Sequence, residues 1–298
     1  MAFPAHLLVT TSQSLLLLNP CDGTAYRLDT GREHYYGIAR DVHHYYVGVR
    51  CRANTSQVPK AEERGKILRF DKSMQATDML EPDFAMRDIH QVLVHDGKLW
   101  VTCSFDNMVA VYDGLSWSAW YPLGRPVVEP FDVNHFNSLT GFGNELAVVA
   151  HNLYAVSGRG SEIHFFSLPD LQWLRSVPLG IHSHNAWWHN GELMTCSSYE
   201  GRLLGERGFS VPTSGFPRGL AASDDAYFVG ISEFAARSDR DLGNGWIKVF
   251  DKTWGARQTV TIREEGMVTD IMTITGPEAA HILDAQDRPA IRYVVSEG

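Results

Sequence analysis

Five stretches of this chain read as the same hairpin, and all five share one register. The clearest is 180–201, a strand that opens in histidines, turns at His189-Asn190-Gly191 and returns as an apolar strand. Asn-Gly between two apolar or alternating runs is a strong short-range hairpin signal. The unit recurs at 34–50, 87–104, 133–151 and 216–232. In each copy the return strand starts nine positions after a landmark on the first: Tyr45 after Tyr36, Leu99 after His90, Leu146 after Asn137, Leu193 after His184, Tyr227 after Arg218. A sixth, less regular copy at 267–274 brings Asp270 near the equivalent place. Self-similarity of this kind marks a repeat architecture.

Two more short strands follow each hairpin: MVAVYD and SAWYPL, then EIHFFSL and RSVPLG, then GRLLG and FSVP, then WIKVFD and RQTVTIR. Four strands per unit, punctuated by Gly, Asp and Pro, predict a β-propeller of four-stranded antiparallel blades. Six starting strands give six blades, with seven as the alternative, in one domain spanning 1–298. The N-terminal runs HLLVTTS, SLLLLNP and GTAYRLD have no first strand of their own, so they are expected to complete the blade begun near Asp270. N- and C-terminal strands would then close the ring and leave no sheet edge bare. Helix should make up less than about a tenth of the residues. Two insertions, 52–66 and 234–245, fall between the second and third strands of their blades. They should project from one face, where long loops commonly form lids.

Composition excludes several classes. A net charge of −9 without any Lys/Arg run argues against a nucleic-acid partner. No 18-residue apolar span exists and the N-terminus lacks a basic start, so neither a membrane nor a leader is expected and the cytoplasm is the expected compartment. The four cysteines form no CxxC pair, and Cys103 and Cys196 sit at equivalent places on apolar strands, which predicts thiols rather than disulfides. Neither GxSxG nor HExxH nor a phosphate-binding glycine loop occurs. The sequence leaves the oligomeric state open.

Chemistry is expected at the strand beginnings. The shared register gives one layer of Tyr36, His90, Asn137, His184, Arg218 and Asp270. Two residues earlier come His34, Asp88, His135, His182, Phe216 and Val268, on the same side by the period of a strand. Imidazoles converging from separate strands suit a divalent Fe, Mn, Zn, Cu or Ni ion, and three protein ligands leave a position open. His90, His135 and His184 are the expected ligands, at about 2.0–2.2 Å from the metal, with His182 as substitute. Asp88, Asp270, Tyr36 and Arg218 are the expected catalytic residues: a carboxylate orients a ligand or acts as base, and a guanidinium forks an anion. Asn137 and His182, together with His151, Tyr199 and Glu233 at the ends of second strands, are the expected contacts to a small-molecule substrate. The pattern therefore points to a metal-dependent enzyme acting on a small polar or anionic metabolite. The alternative is a polar lining without chemistry, in a ligand-binding or protein-interaction propeller. His43 and His44 fall in a turn, and Trp187 and Trp188 are expected to pack between blades.

The segments DIHQVLVHDGKLWVTCSFDN, HFNSLTGFGNEL, HSHNAWWHNGELMTCSSYEGRLL, GFPRGLAASDDAYFVGIS and WIKVFDKT resemble, in order, the signature of an uncharacterised bacterial propeller family. The resemblance covers roughly residues 85–275 and maps the family's motif residues onto His90, His135 with Asn137, His184 with Trp188, and Phe216 with Arg218. Ser183 and Asn185 depart from the family's Pro and Ser, and Glu233 stands where a Lys is usual. The resemblance implies the fold and a candidate site but no particular reaction.

Overall fold

Each of the six hairpins extends outward into one antiparallel sheet, and the six sheets are the blades of a six-bladed β-propeller. The structure is a computed structural model and describes residues 5–126, 132–236 and 239–297. Blade one runs Tyr35–Arg40, Tyr45–Val49, Lys66–Phe70 and Ala76–Leu80. Blade two runs Ile89–His95, Lys98–Cys103, Met108–Tyr112 and Trp117–Trp120. Blade three comprises Phe136–Phe142, Glu145–Ala150, Glu162–Ser167 and Trp173–Pro178. Blade four comprises Ser183–His189, Glu192–Ser197, Arg202–Gly205 and Ser210–Pro212. Blade five is Phe216–Ala222, Ala226–Ser232, Gly245–Asp251 and Ala256–Ile262. Blade six begins with Val268–Thr275 and takes its other strands, Ala5–Thr11, Ser14–Leu18 and Thr24–Thr30, from the N-terminus.

The C-terminal segment is used twice. Ile291–Arg292 pairs with Thr24–Thr30 on the outer edge of blade six, and Val294–Glu297 pairs with Ala256–Ile262 on the outer edge of blade five. Between them the Tyr293 amide donates to the Gly23 carbonyl at 2.9 Å. Gly23 has φ +73 and would drive a Cβ into the Tyr293 carbonyl, so the strap requires glycine there.

Local chemistry explains the hairpins. Asp96-Gly97 and Asn190-Gly191 close two-residue loops with both residues at positive φ, the geometry whose twist matches that of the flanking strands. The strand starts hold a second repeated device. His34, Asp88, His135 and His182 all have φ between 52° and 66°. A left-handed residue costs about 1–2 kcal/mol unless its side chain suits the region, and Asp and His are among those that do. A register shift follows within a few residues in blades one to four. The period of two therefore does not carry from one predicted layer to the other; a left-handed step and a bulge set the facing instead.

By internal contacts the chain divides into two compact units. The first comprises 1–57, 66–80 and 218–298 and contains blades one and six with nearly all of five; the second comprises 58–65 and 81–217 and contains blades two, three and four. Within each, apolar side chains fill the space between neighbouring blades. Trp100, Phe136, Leu146, Val148 and Phe166 form one such layer in the second unit. Leu7, Val9, Phe228, Ile247 and Val249 form another in the first. Side chains of this size contribute about 1.5–3 kcal/mol each when fully buried.

A serine latch repeats between blades. Ser104 and Ser198 each lie 14 residues after a strand-start histidine. Each donates its hydroxyl to the first strand of the next blade, at the Phe136 and Pro217 carbonyls, at 2.5 Å. Ser232, in the same place after Arg218, bonds Val268 at both its carbonyl and its amide.

Both insertions lie between second and third strands. Residues 237–238 of the later one fall outside the described residues. Among the described residues no helix is long and apolar enough to cross a membrane. Cys103 and Cys196 are buried thiols.

Candidate functional site

The second unit gathers imidazoles. Blade two supplies His90 at its strand start, and blade three supplies His135 before its first strand and His151 after its second. Blade four supplies His182 and His184. Their rings form a continuous row: His90 to His135 at 4.9 Å between centroids, His135 to His151 at 4.9 Å, His151 to His182 at 3.9 Å, His151 to His184 at 5.9 Å. Tyr199 extends the row beyond His182 at 5.2 Å, and Phe216 packs on His184 at 5.5 Å.

At one end of the row stand Asp88, His90 and His135, each offering one ligand atom, all within 4.8 Å of one another. The hydrogen bonds assign the tautomers. His90 Nδ1 lies 2.9 Å from the Asp88 carbonyl, which only accepts, so Nδ1 carries the proton. His135 Nδ1 lies 2.9 Å from Asp132 Oδ1, again an acceptor. Nδ1 held by oxygen leaves the lone pair on Nε2, which is how a metal-binding imidazole is oriented. His184 follows the same logic: Ser198 donates to the Pro217 carbonyl and so accepts from His184 Nδ1–H at 2.7 Å. His151 is the reverse, since its Nδ1 accepts from the Leu153 amide at 3.2 Å and the proton lies on Nε2.

The insertion brings a cation to this end. Lys60, in the short turn Lys60–Glu62, forms an ion pair with Asp88 and sits 3.5 Å from Asp132. Glu63 accepts the Asp88 backbone amide at 2.6 Å. Gly65 donates to the Met86 carbonyl at 2.8 Å, and a Cβ on Gly65 would meet Ile89 at 2.6 Å, so only glycine lets this segment approach.

The first unit is built differently at the same repeat positions. Arg50 and Arg218 each lie 5.7 Å from the Tyr36 ring centroid, and Arg218 Nη1 donates to Tyr36 Oη at 3.5 Å. Asp270 accepts the Ile38 and Ile271 amides, both at 2.9 Å. Burial pushes its carboxyl up to about 6, against the pull of those amides and of Arg218. His34 Nε2 lies 2.6 Å from Asp241 in the later insertion, and Asp241 also accepts the Asn54 amide at 2.9 Å and its side-chain nitrogen at 2.7 Å, so the two insertions meet there. Burial opposes ionisation of Asp241, but the bonds from His34 and Asn54 outweigh it and hold the carboxyl below its usual range.

The predicted residues thus fall into two groups. His90, His135 and Asp88 come together, with His151, His182 and His184 along the same row. Tyr36, Arg218 and Asp270 come together in the first unit. His184 is not in the group of three; Asp88 takes that place. Asn137 joins blades, its Nδ2 donating to the Ser183 carbonyl at 2.8 Å. Glu233 holds the base of its own insertion, accepting the Asn244 amide at 3.3 Å. Tyr199 is exposed. Trp188 is half-exposed and meets Phe142 of the neighbouring blade edge-on at 5.8 Å. Sequence reasoning missed Lys60, Glu63, Asp132 and the two serines. For the serines a signal was present, since both follow their histidine by 14 residues. A cavity of about 740 Å³ elsewhere in the second unit, lined by Phe84, Arg87, Asp106, Met108, Tyr121 and Arg125, contains none of the predicted residues, and its Arg87 is engaged by Asp106 at 2.6 Å.

No protein-family model matches the chain, and no curated protein matches it. Solved structures do. A protein of unknown function from Bacteroides caccae is 15% identical with a TM-score of 0.62, over 91% of this chain and 99% of that one. A chain from a nidogen/laminin complex is 11% identical with a TM-score of 0.62, over 90% of this chain and 98% of that one. At these identities the likeness is one of fold alone.

Proposed function

We propose that the chain is a metal-dependent enzyme acting on a small polar or anionic metabolite, with Asp88, His90 and His135 holding a divalent transition metal. The observation that carries this reading is the convergence of one carboxylate and two imidazoles within 4.8 Å, with both Nδ1 atoms already committed to oxygen acceptors. Two nitrogens and one carboxylate oxygen suit Fe, Mn, Zn, Cu or Ni and leave coordination positions open. Bound there, such an ion acidifies water or polarises a substrate oxygen. Asp132 orients His135, and His151, His182 and Tyr199 supply polar contacts along the row for the substrate. The reading takes residues 1–298 as one propeller domain of a cytoplasmic protein.

One observation favours a second reading, a non-catalytic binding or interaction propeller. Lys60 already neutralises Asp88, so the polar network is satisfied by the chain's own groups. Metal analysis of protein purified anaerobically separates the two. Near-stoichiometric transition metal in the native protein and none in the His135→Ala variant supports the enzyme; no metal under any loading condition supports the binding module.

A further inference from the structure

Lys60 reaches the ligand group from the insertion rather than from any repeat. Its ammonium pairs with Asp88 and lies 3.5 Å from Asp132, so it contacts one ligand carboxylate and the carboxylate that orients a ligand imidazole. We propose that Lys60 is a tethered counter-cation that competes with the divalent metal for Asp88, so that the 58–62 segment sets how tightly, and when, the site is loaded. The inference rests on the metal reading above.

Three features support it. A lysine ammonium is a compact point charge with three donors, and it satisfies carboxylates in the way a small cation does. A divalent ion bound at Asp88 puts two further positive charges within a few ångströms of it, and like charges at that range repel strongly in a partly buried site. A carboxylate that donates electron density to an ammonium is also a poorer metal ligand. The insertion is fastened on both sides of Lys60, upstream where Asn54 bonds Asp241. Glu63 and Gly65 fasten its C-terminal side to the Asp88 amide and the Met86 carbonyl. Lys60 sits one turn earlier, in Lys60–Glu62, where Glu62 N bonds Pro59 O at 2.9 Å and Glu63 N bonds Lys60 O at 3.2 Å. Swinging that turn out frees Asp88 and releases the partly buried Lys60 side chain, which trypsin must bind to cut after it.

The test uses the full chain with Mn²⁺ or Zn²⁺ alone as probe, by titration calorimetry, and trypsin as reporter. Lys60→Gln should bind the probe at least about tenfold more tightly than wild type, about 1.4 kcal/mol, while Lys60→Arg keeps the charge and stays near wild type. Saturating metal should accelerate tryptic cleavage after Lys60 in the wild-type protein several-fold, a readout that stands even if Lys60→Gln folds poorly. Equal affinity in wild type and Lys60→Gln, with binding lost in His135→Ala, overturns the competition and leaves the metal reading intact. Weaker binding by Lys60→Gln also overturns it. Binding that His135→Ala leaves unchanged, or no binding by any variant, removes the metal reading and this inference with it.

Discussion

Tyr36 in the first unit and His90 in the second hold the same place in the repeat, yet their surroundings have opposite chemistry. Around Tyr36 stand two guanidiniums and a carboxyl, Asp270, whose charge is opposed by burial and whose oxygens are taken by backbone amides. Around His90 stand imidazoles whose Nδ1 atoms are held by oxygen and whose Nε2 atoms carry lone pairs. The backbone frame is shared: a residue of positive φ at the start and a register shift soon after it. One scaffold position thus sits among guanidiniums in one unit and among imidazoles in the other. Position in a repeat fixes where a side chain starts; the neighbouring loop decides what it meets.

The contrast is open to test. The largest effect is expected from His135→Ala, which should lower transition-metal affinity more than about 100-fold with little loss of thermal stability, whereas Arg218→Ala should leave metal content unchanged by elemental analysis. A loss in both variants would erase the distinction drawn here.

Asp270 should show next, through pH. Its folded-state affinity for a proton lies above the ordinary carboxyl value, at about 6. The folded form therefore binds the proton more tightly than the unfolded form, and stability falls as pH rises from about 4 to about 6. The full penalty, about 3 kcal/mol by order of magnitude, is present above that window. Asp270→Asn should abolish this pH dependence in denaturant titrations at pH 4.5 and 7.5; the same slope in both proteins would sink the assignment.

Asp132→Asn, which weakens the oxygen holding His135, should reduce metal affinity about 10–100-fold without touching a ligand. An unchanged affinity would mean that the ring is held by packing alone. The smallest effects belong to the latches. Ser104→Ala and Ser198→Ala should each cost about 1 kcal/mol in equilibrium unfolding, and unequal costs would show that the two units of repeat are not energetically equivalent.

The fold was largely legible because a propeller repeats its local physics. The nine-residue register located five starting strands and a less regular copy the sixth, and the unpaired N-terminal runs correctly implied that blade six draws on both ends of the chain. The double role of Ile291–Arg292 and Val294–Glu297 was not legible, since two- and four-residue edge strands carry too little pattern. The candidate site was legible in part. Register brought His90 and His135 together, but it also suggested His184, which is the strict equivalent of His90, down to a serine held by its Nδ1, and yet lies outside the group that Asp88 completes. Equivalence predicts the backbone, and the left-handed step is itself repeated at His34, Asp88, His135 and His182, so it does not tell which side chains meet. Lys60 and Glu63 lay beyond any such reasoning, because an insertion has no register to read.

The strap formed by 291–297 has a consequence for how the protein behaves at high concentration. Outer blade edges present rows of backbone donors and acceptors that can template another chain. Here the last residues occupy the rims of blades five and six, with Val294–Glu297 laid along Ala256–Ile262 and Ile291–Arg292 along Thr24–Thr30. Removing residues 291–298 would uncover two adhesive rims at once. The shortened chain should self-associate in light scattering at concentrations where the full chain does not, making the C-terminus a guard of colloidal behaviour as much as a part of the fold.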